Sequence, residues 1–265
     1  VIVCAAALFF AAMSAFAAYA LHRAFGGRFD KNAKLKYFSA ADFGLNAEPV
    51  QTYDGKTLLR GYIYTCGNVS FGGADVQKGG TYAATNGGIA AKGGACGQPR
   101  GLIIFSHGMG PGQCAYTTEI AYFCKNGFAV LAFDCAGCGL SDGNSMRGME
   151  ASTRAAVAAA AFARADMRLK NLKTFFVGHS MGAYSALCAA PFTRPSGVVA
   201  FSAPNQPSYM VKYGATPVVG KAFAAILRPF VGMLARMRFK KYGDLSAARQ
   251  IERSGVPAFI VHGDV

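Results

Sequence analysis

Positions 1–21 (VIVCAAALFFAAMSAFAAYAL) carry no charge, and Ser14 is their one clearly polar side chain. A helix over this run would be roughly 30 Å long, the thickness of a bilayer's hydrocarbon core. His22, Arg23, Arg28, Lys31, Lys34 and Lys36 follow at once, as an interfacial basic flank does. The run reads as a transmembrane anchor, its uninterrupted length exceeding a usual signal core. Two alternatives stand beside it. Ala15-Phe16-Ala17 and Ala18-Tyr19-Ala20 both fit a small-x-small cleavage site of a signal sequence, and an Ala-rich helix can also be buried.

After a linker, 22–47, residues 48–65 (EPVQTYDGKTLLRGYIYT) read as two strands turning at Asp54-Gly55. Residues 66–99 hold ten glycines and no period of helix or strand, which predicts a flexible insertion. A Cys66–Cys96 disulfide could close its base in an oxidising compartment, although two thiols in a loop are more often just thiols. From residue 101 short apolar runs alternate with helical stretches. LIIFS (102–106), FAVLAF (128–133), TFFVG (174–178), GVVAFS (197–202) and PAFIVHG (257–263) are continuous and β-rich, as strands buried on both faces are. Helices are expected near 115–126, near 149–167, and from 181 to Pro191. Such alternation predicts an α/β fold, a mostly parallel sheet with helices on both faces. Residues 203–253 interrupt the rhythm with a basic, apolar, helix-forming stretch, expected to sit as a cap over the carboxyl ends of the strands.

The chain's 265 residues suffice for one large core, and with 52% hydrophobic against 15% charged residues it is no disordered polymer. Its net charge of +14 favours anionic partners, whether phospholipid, cell-wall polymer or nucleic acid. No nucleic-acid motif accompanies that charge, so nucleic acid is set aside. The basic cap residues Lys221, Arg228, Arg236, Arg238, Lys240 and Lys241 fit a membrane surface slightly better than an anion-reading site. Eight cysteines are too sparse for a disulfide scaffold. Cys135-Ala136-Gly137-Cys138 is a CxxC without two further ligands at matching spacing, so no metal or cofactor is called for.

The chemistry concentrates at Gly178-His179-Ser180-Met181-Gly182, between an expected strand and an Ala-rich helix. A nucleophile on a tight strand-to-helix turn needs glycines two before and two after it, because side chains there would clash. The helix N-terminus offers backbone N–H groups to a developing oxyanion. Ser106-His107-Gly108-Met109-Gly110 follows the first central strand, and its glycines let backbone approach a substrate, with the Met109 amide beside that of Met181. Asp134-Cys135-Ala136-Gly137-Cys138-Gly139-Leu140-Ser141 follows the next strand, and Asp134 reads as a loop-orienting residue rather than an acid.

These three motifs, in this order, resemble the α/β-hydrolase fold, and most closely the bacterial serine hydrolases grouped with the serine aminopeptidase S33 and monoacylglycerol-lipase-like families. The resemblance covers about residues 48–265. It implies Ser180 as nucleophile, the amides of Met109 and Met181 as the oxyanion hole, and Gly178, Gly182, Gly108 and Gly110 as the glycines that shape elbow and loop. Ala183, where the family often has Gly, is a minor departure. The family's triad continues with an acid and then a His. After Ser180 the acidic residues are Asp244, Glu252 and Asp264, and the one histidine is His262. Val261-His262-Gly263-Asp264 resembles the family's H-G-x-x-D, whose acid would fall on the residue after Val265, with the His later still. Asp264 is two positions early for the acid. His107, His179 and His262 read as structural. Without a base Ser180 is a weak nucleophile, so residues 1–265 alone are not expected to turn over. The expected function is a membrane-anchored serine hydrolase of carboxylic, lipid-like esters. An S33-type peptidase and a catalytically dead, membrane-bound binding module are the alternatives.

Overall fold

The structure, a computed structural model, describes residues 2–31, 36–67 and 98–263. Most of the glycine-rich insertion, including Cys96, lies outside the described residues, and so does Asp264. Strands β1 (Leu45–Tyr53) and β2 (Leu58–Cys66) form the hairpin at Asp54-Gly55. Then β3 (Leu102–Ser106), β4 (Ala129–Phe133), β5 (Thr174–His179), β6 (Gly197–Phe201) and β7 (Ala258–Val261) complete one sheet in the order β1-β2-β4-β3-β5-β6-β7. The hairpin joins β4 antiparallel, and all pairings from β4 to β7 are parallel. This is the mostly parallel sheet that the sequence pattern predicts, in the α/β-hydrolase arrangement that the resemblance implies.

The continuous apolar runs of β3 and β4 have the expected cause, whereas β7, expected to be buried on both faces, is exposed throughout Ala258–Val261 because it is the edge strand and no described element covers it. Leu102 and Ile104 of β3 point to one core, and Ile103 and Phe105 to the other. Helix α2 (Thr117–Lys125) covers the second face with Ile120, Ala121 and Cys124. Helices α3 (Glu150–Ala165) and α4 (Met181–Thr193) cover the first, and their alanines let both helices settle close to each other and to the sheet. Pro191 does not stop α4. It sits in the last turn, where one missing N–H breaks little, and the chain leaves the helix at Arg194 with a φ of 48°.

Within 203–253 the structure separates two parts. Helix α5 (Pro207–Phe239) is the apolar, basic stretch, broken at Gly220, whose φ of 79° and ψ of 159° are not helical. Helix α6 (Ala247–Ser254) instead packs on α4 and leads directly into β7, so it is a sheet-flanking crossover helix and not a cap.

Helix α1 (Ile2–Phe25) extends the apolar run by one turn through His22 and Arg23. It is one of two helices among the described residues long and apolar enough to cross a membrane, with a mean hydropathy of 2.1, the other lying in the stretch from Pro207 at 1.6. Met13, Ala17, Leu21 and Phe25, spaced by four, are buried in the same core as the sheet. The stretch 22–47, expected as a linker, is bound to the domain at its start: Phe29 N–H donates to Gly137 O and Gly139 N–H to Phe29 O. Arg28 is no interfacial flank. Its guanidinium donates to the carbonyls of Ser141, Gly143 and Gly139.

Arg154 of α3 ties the β1–β2 hairpin to the sheet's first face. Its Nη2 donates to Asp54 O at 2.6 Å and to Asp54 Oδ1 at 3.0 Å. The Asp54 side chain is 1% exposed, and burial raises its carboxyl pKa against the pull of Arg154. Arg154→Ala leaves that carboxylate without its cation and is expected to cost about 3 kcal/mol, read as a lower urea midpoint with unchanged slope. Adding Asp54→Asn should recover part of the loss.

Candidate active site

The sheet register brings the two oxyanion motifs together. Ser106 at the end of β3 pairs with Gly178 on β5, so the His107–Gly110 loop leaves the sheet beside the β5–α4 turn. Ser180 sits on that turn with a φ of 53° and a ψ of −119°, a conformation that L-residues avoid unless their surroundings hold them there. Its N–H donates to Phe201 O at 2.8 Å and its carbonyl accepts from Tyr184 N–H at 3.0 Å, so neighbouring β6 and the first turn of α4 both grip it.

Sterics fix the flanking glycines. A Cβ on Gly178 would lie 2.4 Å from Gly182 C and O, and one on Gly182 would lie 1.9 Å from Ser106 O. These are backbone atoms and cannot step aside. A Cβ on Gly108 would meet the Tyr116 hydroxyl at 2.4 Å, whereas one on Gly110 would meet open space. Gly110 therefore has no steric reason of the kind that holds the other three. Met181 is buried as the first residue of α4, where its N–H has no intrahelical acceptor. Met109 is exposed at the rim of the loop.

The histidines divide. His107 is buried: its Nε2 accepts the Cys135 N–H at 2.9 Å, so its Nδ1 carries the proton and donates to Gly108 O at 2.7 Å. Both nitrogens are occupied in bracing the loop. His179 is exposed and shares a hydrogen bond of 2.9 Å with the Tyr116 hydroxyl, which also accepts the Gly108 N–H at 3.0 Å. Tyr116 thus links loop and elbow. No motif in the sequence marks it, because the contact spans 63 residues. His262 directly follows Val261, the β7 member of the row His179–Phe201–Val261, which places it two strands or about 10 Å from the elbow. The Ser180 Oγ makes no hydrogen bond among the described residues.

Asp134 accepts N–H groups from Gln113 at 2.7 Å and Leu140 at 2.8 Å, orienting the loops after β3 and β4. Burial raises its carboxyl pKa, with His107 pulling the other way. Cys135 and Cys138 are buried free thiols whose pKa burial pushes up, Cys138 to about 12, which suits packing and not redox chemistry. No three His, Cys, Asp or Glu among the described residues are grouped to hold a metal.

Sequence reasoning also missed the root of α5. The Asp244 carboxylate accepts the Ser208 N–H at 2.9 Å and Gln206 Nε2 at 2.8 Å, capping the start of that helix, and Arg236 near its end approaches at 3.4 Å. Glu150 Oε1 accepts the Asp244 N–H at 3.1 Å. These are joined across 94 residues, which no local pattern records. Two cavities, of about 340 Å³ by Gln51, Tyr62 and Phe162 and about 240 Å³ by Arg164, Thr174 and Arg194, do not border Ser180. They sit away from every residue of the elbow and are not taken as the site.

A strand–elbow–helix with a serine at its apex, set beside a glycine loop on a largely parallel sheet, defines an α/β hydrolase. The sequence model of the family described as serine aminopeptidase, S33, matches residues 97–238, and the chain belongs to that hydrolase family. Solved structures of similar fold include an esterase from Pyrococcus furiosus, 19% identical, covering 88% of this chain and 76% of that one at a TM-score of 0.57. Est1E from Butyrivibrio proteoclasticus with ferulic acid bound is 15% identical, covering 81% and 78% at a TM-score of 0.52. An α/β hydrolase from Vibrio vulnificus is 14% identical, covering 82% and 63% at 0.53. A comparison with curated proteins gives no match.

Glu150 supplies a pH prediction. Burial and the Asp244 charge push its carboxyl from 4.5 up to about 7. The folded protein therefore holds this proton better than the unfolded chain, and stability falls as pH rises through that window. The loss is on the order of 3 kcal/mol by pH 8. Glu150→Gln should flatten this fall, seen by comparing Tm at pH 5 and pH 8 in both proteins. Gly182→Ala, by contrast, should abolish the elbow geometry and cost at least about 3 kcal/mol at any pH.

Proposed function

We propose that this chain is a serine hydrolase of carboxylic esters, working through an acyl-enzyme and held at a membrane by residues 1–21. The observation that carries the reading is the Ser180 elbow: a strained, partly exposed serine between glycines that no other residue can replace. In this reading Ser180 attacks the ester carbonyl, and the Met109 and Met181 amides receive the oxyanion. The acyl group passes to Ser180 as the alcohol leaves, and water then releases the acid and restores the serine. The resemblance reserves the residue after Val265 for the acid, with the general base further on; Asp264 stands two positions early, and no described residue is assigned either role.

An ester is favoured as substrate because the Pyrococcus furiosus fold relative is an esterase by name, and α5 is rich in apolar side chains that suit an acyl chain. The family's own description supports a second reading, an S33-type aminopeptidase. Full-length protein assayed on p-nitrophenyl esters of increasing acyl length and on aminoacyl p-nitroanilides separates the two. Esters should turn over faster, longer acyl chains better than acetate, and Ser180→Ala should lower kcat at least about 1000-fold. Faster anilide cleavage would favour the peptidase. Undiminished turnover in Ser180→Ala would remove Ser180 from the chemistry.

A further inference from the structure

The two helices that are long and apolar enough to cross a membrane, among the described residues, pack on one another. Phe16 of α1 meets Phe223 of α5 edge-on at 5.3 Å between ring centres, and Phe10 meets Phe230 at 5.3 Å. The α1 stripe Met13, Ala17, Leu21 and Phe25 shares a core with Leu227 and Val231 of α5. One face of residues 13–25 is therefore docked on the domain, while Ala15, Ala18, Tyr19 and residues 22–24 stay exposed, and cutting at Ala17 or Ala20 would strip the cover from α5. Residues 2–12 are all exposed, a length of roughly 16 Å of apolar helix.

On α5 the same kind of surface continues. Ile226 lies between Phe223 and Phe230 on the stripe that touches α1, at three- and four-residue spacing, and is still 48% exposed. Val218 and Met237 are also exposed. Between Pro207 and Phe239 the helix carries Lys212, Lys221, Arg228, Arg236 and Arg238 and no acidic residue. An apolar face edged only by cations repels a second copy of itself and matches an anionic bilayer.

We propose that α1 and α5 form one membrane-seated element, which buries their joint apolar face in an anionic bilayer with the cations of α5 at the headgroups. The inference rests on the reading that residues 1–21 enter a bilayer, and adds that α5 enters with them. The domain is then fixed in orientation to the lipid, α1 is retained in the mature protein, and a lipid-like ester reaches the protein from the bilayer without crossing water.

Residues 1–265 contain no Trp, and with any Trp outside them replaced by Phe a single introduced indole reports on its own site. Leu8→Trp on α1, Ile226→Trp on α5 and Tyr122→Trp on α2 each replace an exposed side chain in the full-length protein. Each variant is mixed with phosphatidylcholine vesicles containing phosphatidylglycerol, with and without brominated acyl chains. Trp at positions 8 and 226 should shift to the blue and lose at least about half its emission to brominated lipid, while Trp at 122 stays unquenched. Quenching at 8 without quenching at 226 would overturn the shared element and leave the α1 anchor standing. Quenching at neither would overturn both readings, and equal quenching at 122 would show that no face is selected.

Discussion

The close approach of α4 to the end of β3 is the constraint on which the site depends. Gly182 lies so near the Ser106 and His107 carbonyls that hydrogen is the only side chain that fits, and Gly178 meets Gly182 in the same way. That contact brings the first N–H groups of α4 to the glycine loop and forces the chain between them through the unusual backbone at Ser180. Sheet pairing on either side holds the turn closed: Ser106 against Gly178 on one flank, and Ser180 N–H on Phe201 O on the other. Strain of this kind persists when the surroundings over-determine it, and here a sheet, a helix and two loops all do.

A second set of interactions fixes what stands around the turn. His107 and Asp134 spend their polar atoms on backbone N–H and carbonyl groups of the loops, and Tyr116 joins loop to elbow. None of these three has a free atom arrangement suited to general-base work, and all three keep the loop in place. The Glu150–Asp244 pair performs the corresponding service for α5, holding its start with one carboxylate and joining that carboxylate's residue to α3 with the other. The α1–α5 contact then adds the N-terminal helix to the same body.

The parts legible in the sequence are those governed by local rules. Strands β3 to β6 are readable because burial on both faces demands unbroken apolar runs, and the elbow because its sterics demand glycine at two fixed offsets. The docking of α1 is not readable: Met13, Ala17, Leu21 and Phe25 form a stripe, but in a run that is apolar all round a stripe has no contrast. Arg28 looks like an interfacial charge until the 139–143 loop folds back to receive it. Tyr116, Glu150 and Asp244 act across 63 to 94 residues, and such meetings are set by topology and not by neighbours in the chain. The division of 203–253 into α5 and α6 escapes the eye for the same reason, since what distinguishes them is which helix each packs against.

The central claim is that Ser180 is the nucleophile, and a covalent label tests it at the level of the atom. Full-length protein treated with a fluorophosphonate and digested should yield the peptide containing Gly178-His179-Ser180-Met181-Gly182 with the phosphonyl group on Ser180, and no other serine modified. A label on a different residue, or none on protein shown to be folded, would contradict the account.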